Sequence, residues 1–390
     1  MQTFGAAREG TRSAYIAACT LIPFASSLIY PVLSLFASTQ LHLSALQVSL
    51  LFMLMPVATV VIVQLLARAS DRGLQRPLII TCSCLGGIGS CAFLELRPPY
   101  LMLCSLGVLL MGIQSVGFPQ LFASAREFAI KHLGGALMFT TLLRALCSLA
   151  WVGGPPIAYF LCTVHSFDLL FAVTAAMFLC GALLSFFKLP SVTLDKDAAS
   201  GKELHLLEHK QVLLLFAGCI GVSTAFSGYM ISMPLYVTTE LALHKNLPGI
   251  MLGLAAFLEI PIMLTAARLA KRIGLKVIVL AGCLALILFL ISLFFLKSEF
   301  SLIAVMILPA LYIGTTGSMG MVFFQELLPE FPGQATSLFV NSNTVGSILG
   351  GALFALADLG SYTCIYTAGI ALACIATLGV ALVKNPRQIM

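Results

Sequence analysis

Twelve long apolar runs constrain the fold of this chain more than any other feature of its sequence. A helix needs about 20 mostly apolar residues to cross roughly 30 Å of hydrocarbon. Runs of that length lie at about residues 13–37, 44–67, 76–96, 100–125, 136–163, 166–188, 211–239, 247–269, 275–297, 300–325, 335–358 and 362–384. Because each run is continuous rather than alternating, the pattern excludes a closed β-barrel. We therefore predict an all-α polytopic membrane protein with twelve transmembrane helices.

The composition supports the same class of protein. Only 9% of the 390 residues are charged and 60% are hydrophobic, whereas soluble domains carry about 25% charged residues. One long charged segment, 189–210, interrupts the apolar pattern. It predicts an N-terminal six-helix bundle over 1–188, a cytoplasmic linker over 189–210 and a C-terminal six-helix bundle over 211–390.

The basic residues predict how the chain is oriented in the membrane. With the N-terminus placed in the cytoplasm, 17 of the 21 Lys and Arg residues fall on the cytoplasmic side and three on the opposite side. Cytoplasmic loops are enriched in Lys and Arg. We therefore predict a multi-pass protein of the cell inner (plasma) membrane with both termini in the cytoplasm.

Two charged residues remain inside the spans after the loops are accounted for. Arg144 lies in span 5 and Glu259 in span 8. A charge at the centre of a membrane helix costs at least ~2.5–3.5 kcal/mol, so such residues are expected to pair or to carry function. Two such charges of opposite sign would satisfy each other if their spans were neighbours.

The two halves of the sequence echo each other. Short basic hinges follow span 2 (residues 68–77) and span 8 (residues 268–276), and a Gly-Gly pair occurs in span 5 and again in span 11. Aligning the two Gly-Gly pairs places Asn341 opposite Arg144. A duplicated six-plus-six chain is typical of transporters whose substrate site lies near the membrane midplane.

Several motifs resemble those of a known family. The hinge formed by Asp71, Arg72, Gly73 and Arg76 is similar to the loop 2–3 motif of the major facilitator superfamily. Further stretches resemble the bacterial sugar efflux transporters: residues 119–123 (PQLFA), 125–127 (ARE), 144–145 (RA), 148–152 (SLAWV), 154–156 (GPP), 233–235 (MPL), 259–261 (EIP), 324–327 (FQEL) and Thr336. The similarity runs over nearly the whole chain.

This resemblance implies the major facilitator fold, with two pseudo-symmetric six-helix bundles. In that fold spans 1, 4, 7 and 10 line the cavity, spans 5 and 8 pack together between the halves, and so do spans 2 and 11. The implied function is a proton-coupled secondary transporter that exports sugars or small glycosides by alternating access. The alternative within the superfamily is a multidrug or siderophore exporter.

The resemblance also suggests roles for individual residues. Glu259 would bind and release a proton with Arg144 as its partner, although a static salt bridge or direct substrate contact would use the same pair. Asp71, Arg72 and Arg76 would form a gate on the cytoplasmic side, although Asp71 could instead cap the start of span 3. Polar and aromatic residues expected at the cavity are candidates for substrate binding: Trp151, Gln114, Gln120, Tyr30, Tyr229, Asn341, Asn343 and Gln325.

Other classes of protein fit less well. The spans hold no paired carboxylates and no closely spaced histidines, so we expect no enzyme activity, no cofactor and no metal site. The twelve cysteines lie in or beside apolar runs and are interpreted as packing residues. The expected partners are a sugar or glycoside, a proton and the lipid bilayer. We expect no nucleic acid, and a monomer.

Overall fold

The computed structural model describes residues 2–71, 74–133, 137–191 and 209–384. Within these ranges the chain is almost wholly helical, and twelve helices are long and apolar enough to cross a membrane. We number them α1 (Glu9–Thr39), α2 (Ala45–Leu66), α3 (Arg76–Glu95), α4 (Tyr100–His132), α5 (Met138–His165), α6 (Phe167–Lys188), α7 (Lys210–Glu240), α8 (Leu247–Ile273), α9 (Leu275–Phe295), α10 (Glu299–Leu327), α11 (Gly333–Leu359) and α12 (Thr363–Leu382). The predicted twelve-span, all-α fold is confirmed.

The chain divides into two compact units. The first comprises Met1–His42 and Leu54–Ala199, and the second comprises Leu43–Met53 and Ser200–Met390. The beginning of α2 therefore groups with the second unit, although the six-plus-six division of the sequence assigns it to the first. Of the predicted linker 189–210, only the ends lie within the described residues.

Each unit has the same pattern of neighbouring helices. In the first unit α1 packs against α5 and α6, and α3 packs against α4 and α6. In the second unit α7 packs against α11 and α12, and α9 packs against α10 and α12. The second set of contacts is the first set with six added to every helix number, as expected of an internal repeat.

The turns after α1 and α7 repeat at the level of single residues. His42 has φ 51° and Ala242 has φ 50°, a left-handed conformation that residues other than glycine rarely adopt. In both turns the backbone N–H of the preceding leucine donates to the carbonyl five residues earlier. Leu41 N donates to the Phe36 carbonyl at 3.3 Å, and Leu241 N donates to the Tyr236 carbonyl at 2.9 Å. The two turns lie 200 residues apart in the sequence.

Several of the helices contain local changes of pitch. α1 includes a 3₁₀ turn at Tyr30–Val32. α4 and α10, which are repeat partners, include π-helical turns at Leu103–Gly107 and Ile313–Gly317. α5 stays helical through Pro155 and Pro156. All twelve cysteines carry free thiols, six of them buried, in agreement with their interpretation as packing residues.

Candidate functional site

One face of α5 carries Arg144 and Trp151 on the surface of the first unit. Both side chains are exposed, Trp151 to 40%. Their spacing of seven residues, close to two helical turns, places them on the same face. A neighbouring stripe of α5 is buried through Leu143, Cys147 and Ala150. The cation and the indole therefore both project away from the packed interior of the unit.

A close crossing of α1 and α5 fixes the direction of this face. Ser27 Oγ donates to the Ala150 carbonyl of α5 at 3.0 Å. A Cβ added to Gly154 would overlap Ser27 Oγ and lie 2.6 Å from Ser27 Cβ. Farther along the same pair of helices, Tyr159 OH donates to the Pro31 carbonyl at 2.8 Å. The glycine lets the two backbones approach, and the hydrogen bonds set the rotation of α5.

Two of the predicted substrate residues of the first unit lie near this crossing. Gln114 of α4 is 4% exposed; its Nε2 donates to Ser26 Oγ at 3.3 Å, and its Oε1 accepts from Ser90 Oγ at 3.5 Å. This amide bridges α4 to α1 and α3. Tyr30 is half-buried at the 3₁₀ turn of α1.

The fourth predicted substrate residue of this unit, Gln120, contacts a predicted gate residue instead. Arg76 at the start of α3 donates Nε and Nη2 to the Glu127 carboxylate, with a shortest separation of 2.8 Å, and Nη1 to Gln120 Oε1 at 2.7 Å. The guanidinium thereby holds the end of α4 against the beginning of α3. The predicted gate residue Arg72 and the side chain of Asp71 lie outside the described residues.

In the second unit, Glu259 lies half-buried on α8. A Cβ added to Gly314 would be 3.2 Å from the Glu259 carbonyl oxygen and 2.8 Å from Ile262 Cγ2. Gly314 belongs to the π-helical turn of α10. The turn that carries Glu259 therefore packs closely on the irregular part of α10.

The predicted substrate residues of the second unit have different surroundings. Asn341 of α11 is exposed, whereas Asn343 Nδ2 donates to the Phe339 carbonyl of its own helix at 3.1 Å. Gln325 of α10 donates to Thr336 Oγ1 of α11 at 2.9 Å. Tyr229 is buried, and its ring meets Phe289 edge-on at 4.7 Å. Of these four side chains, that of Asn341 is the most exposed.

Most hydroxyl groups in the helices expected at the cavity bond to backbone carbonyls. Thr224 donates to the Ile220 carbonyl, Thr315 to Leu311 and Thr316 to Val279 of α9. Ser and Thr hydroxyls in membrane helices commonly bond to a carbonyl one turn earlier. In this conformation these three hydroxyls therefore stabilise the helices and the packing between them.

The end of the second unit that carries the loop after α7 contains polar contacts that the sequence pattern did not single out. Lys297 Nζ donates to Tyr236 OH at 2.6 Å and to the Leu293 carbonyl at 2.9 Å. Glu240 accepts from Ser361 Oγ at 2.9 Å and from the backbone N–H of Tyr362 at 2.8 Å. Burial and the nearby carboxylates raise the pKa of Tyr362. The sequence signal that could have found these contacts is a polar residue at a helix end, within a few residues of a loop.

Within the described ranges, no group of three His, Cys, Asp or Glu residues is close enough to hold a metal ion.

Comparison with known proteins gives consistent results over most of the chain. The sequence profile of the Major Facilitator Superfamily matches residues 16–351. The chain is 38% identical to sugar efflux transporter A of Dickeya chrysanthemi, covering 93% of each protein. It is 35% identical to sugar efflux transporter B of Salmonella typhimurium, covering 91% of each, and 34% identical to sugar efflux transporter C of Escherichia coli, covering 96% of each.

Solved structures agree on the fold. A crystal structure of a mutant of the nucleoside transporter NupG superimposes with a TM-score of 0.82 at 14% identity, covering 96% of this chain and 100% of the other. A bacterial homologue of the iron transporter ferroportin superimposes with a TM-score of 0.73 at 14% identity, covering 95% and 98%. At such low identity the likeness concerns the arrangement of the helices alone.

Proposed function

Since this chain belongs to the Major Facilitator Superfamily, we propose that it exports sugars or small glycosides by alternating access, in exchange for protons. The observation that carries the proposal is the identity of 34–38% over nearly full length to three relatives named sugar efflux transporters. The family and fold predicted from the sequence are confirmed. The chain is a transporter and not an enzyme.

Neutral and aromatic groups support a sugar as the substrate. Trp151 offers an exposed indole, whose face can stack on the apolar face of a sugar ring. Asn341 offers an exposed amide that both donates and accepts hydrogen bonds. Neither adds a net charge that would repel a neutral, hydroxyl-rich molecule. We assign these two the main contacts with the substrate, with support from Gln114, Tyr30, Asn343 and Gln325.

The buried residues Gln120 and Tyr229 take a more indirect part in this scheme. Gln120 is engaged by Arg76, and Tyr229 lies in the aromatic core. Each would reach a substrate only after its neighbours move. We therefore assign them to positioning of the helices that line the cavity.

Arg144 and Glu259 carry the proposed proton coupling. They are the two charged residues that the sequence places away from the ends of the spans. When the guanidinium and the carboxylate are close, the pair favours ionised Glu259; when they separate, the carboxylate in a low-dielectric environment favours its neutral form. Alternating between these states would load and release a proton as the two halves rock about a midplane site.

The proposed orientation places both termini in the cytoplasm, with the protein in the plasma membrane as a monomer. The split of 17 to 3 basic residues supports it. In this orientation the Arg76–Gln120–Glu127 cluster lies on the cytoplasmic side. We propose that Arg76, with Asp71 and Arg72, contributes to the gate there.

Transport by the purified protein tests the proposal. Proteoliposomes are loaded with radiolabelled monosaccharides, disaccharides, glycosides or cationic drugs, and counterflow is measured at two pH values. We expect counterflow of at least one sugar or glycoside, competed by its unlabelled form. Counterflow of cationic drugs with none of the sugars or glycosides would favour the multidrug alternative and contradict the proposed substrate.

A further inference from the structure

The second unit contains an apolar groove that the transport scheme does not use. It has a volume of about 500 Å³, its floor is formed by α7 and its walls by α11 and α12. α11 and α12 each pack extensively on α7 but make few contacts with each other. The groove therefore runs between two helices that share a common floor.

The lining of the groove suits a hydrocarbon chain. It consists of aliphatic side chains and glycine, except for Thr224, whose hydroxyl already donates to the Ile220 carbonyl at 2.8 Å. The walls open onto the surface through Leu349, which is 43% exposed, and Ile375, which is 68% exposed. A polar molecule would find no unused hydrogen-bonding side chain along this lining.

The groove lies at hydrocarbon depth. Its lining residue on α7 nearest the chain start, Ala217, is seven residues from Lys210, or about 10 Å along the helix. On α12 the lining residue Ala376 is eight residues before Lys384, or about 12 Å. The acyl chain of a lipid whose headgroup sits beside these two lysines spans that distance.

The ends of the groove differ in charge. At one end Lys210 and Lys384 are exposed, and Gln211 Oε1 accepts from the backbone N–H of Lys384 at 2.6 Å, which brings the two helix ends together. At the other end lie the exposed carboxylates of Glu240 and Asp358, which outnumber the exposed Lys245 there. Basic residues at the membrane surface attract anionic headgroups, and acidic residues repel them.

We propose that this groove binds one acyl chain of an anionic phospholipid, with its headgroup held between Lys210 and Lys384. In the proposed orientation the lipid belongs to the cytoplasmic leaflet. This inference goes beyond the proposed transport function and does not depend on the substrate.

Native mass spectrometry of the full-length protein in detergent tests it, with phosphatidylglycerol and phosphatidylcholine as probes. We expect one phosphatidylglycerol to be retained more tightly than phosphatidylcholine. Removing both lysines by K210A and K384A should weaken phosphatidylglycerol binding by about thirty-fold and leave phosphatidylcholine binding unchanged. K245A, which removes an exposed lysine at the opposite end, serves as the charge control.

A second variant tests the groove itself. Ala217→Phe places a ring in the part of the groove nearest the lysines, and we expect it to lower retention of both lipids. Leu378→Phe is the matched control, because Leu378 is 67% exposed on α12 and does not line the groove. Equal retention of the two lipids by the unmodified protein, retention of neither, or an Ala217→Phe protein that binds like the control would each overturn the proposal.

Discussion

The guanidinium of Arg76 makes the densest set of polar contacts described in the first unit. It is hydrogen-bonded to both Glu127 and Gln120, and the Arg76 and Glu127 side chains are only 19% and 16% exposed. A second ion pair, between Arg97 and Asp168, is more open, with the two side chains 45% and 46% exposed. A bidentate, partly buried pair is stabilised more than an exposed one because water screens it less.

We predict that Arg76→Ala destabilises the protein by about 1.5–3 kcal/mol, because it leaves Glu127 and Gln120 without their charged donor. Arg97→Ala should cost less than about 1 kcal/mol. Arg76→Lys should fall between them, since an ammonium cannot reproduce the forked geometry. Thermal unfolding in detergent measures all three. Equal losses for Arg76→Ala and Arg97→Ala would show that the cluster does not stabilise the α3–α4 contact.

Trp151 tests the proposed sugar contact. Trp151→Ala should raise the KM for the transported sugar by about two- to tenfold, the range expected for one aromatic stacking contact. Trp151→Phe should retain most of the affinity. Leu149→Ala on the same helix is the control, because Leu149 is 55% exposed and points in a different direction. An unchanged KM in Trp151→Ala would remove the indole from the substrate site.

Sequence spacing predicted some of these surroundings and not others. The interval between Arg144 and Trp151 gave their common helix face, because helix periodicity fixes it. The neighbours of Gln120 and Tyr229 could not be read in the same way. A helix face can meet a cavity, lipid or another helix, and which of these it meets depends on long-range packing that one sequence does not encode in any local pattern.

At the scale of whole helices, the crossing of α1 with α5 has a counterpart in the second unit. A Cβ added to Gly350 of α11 would lie 2.5 Å from Ser227 Cβ of α7, as Gly154 meets Ser27. Ser27 and Ser227 are 200 residues apart, and both contribute to the crossing. By this contact Gly154 is equivalent to Gly350. This pairing is shifted by one residue from the alignment of the two Gly-Gly pairs, so Val340, and not Asn341, corresponds to Arg144.

We predict that Gly154→Ala destabilises the first unit by about 1–3 kcal/mol, the usual cost of overpacking. The added methyl group would force α1 and α5 apart at Ser27. Gly153→Ala is the matched control, since its Cβ would meet only Phe24 at 3.4 Å, and alanine is the better helix former. Melting temperatures should fall for the first variant and stay level or rise for the second. The opposite order would contradict the close crossing.

The existence of the spanning helices was predictable, whereas their irregularities were not. Helix α4 extends to His132, past the predicted end near residue 125, because the polar turn with Arg126 and Glu127 stays helical, and Arg76 pairs with the Glu127 carboxylate there. The π-helical turns in α4 and α10 left no mark in the hydropathy pattern. They change backbone bonding without changing the composition of the segment.

At the scale of the whole molecule, the proposed mechanism requires two repeated units that together exchange a proton for a sugar. The repeated helix contacts and the paired left-handed turns at His42 and Ala242 support the duplication. The proposed coupling requires Arg144 in the first unit and Glu259 in the second to act together. The role of each of these two residues is tested best by a substitution that affects transport without unfolding either unit.

We predict that Arg144→Ala lowers the rate of sugar transport, because Glu259 loses the cation that favours its ionised form. A second change, Glu259→Gln, should partly restore exchange by removing the uncompensated carboxylate. Counterflow by the single and double variants, normalised to the amount of folded protein, measures this. Failure of every Glu259 substitution to restore exchange would contradict direct pairing.

The most direct test of the central claim is sugar transport by Glu259→Gln in proteoliposomes with and without an imposed pH gradient. Glutamine keeps the size of the side chain but cannot bind and release a proton near neutral pH. We predict that the variant no longer accumulates sugar against its gradient, while equilibrium exchange of labelled for unlabelled sugar continues. Concentrative, pH-driven transport by Glu259→Gln would contradict the account.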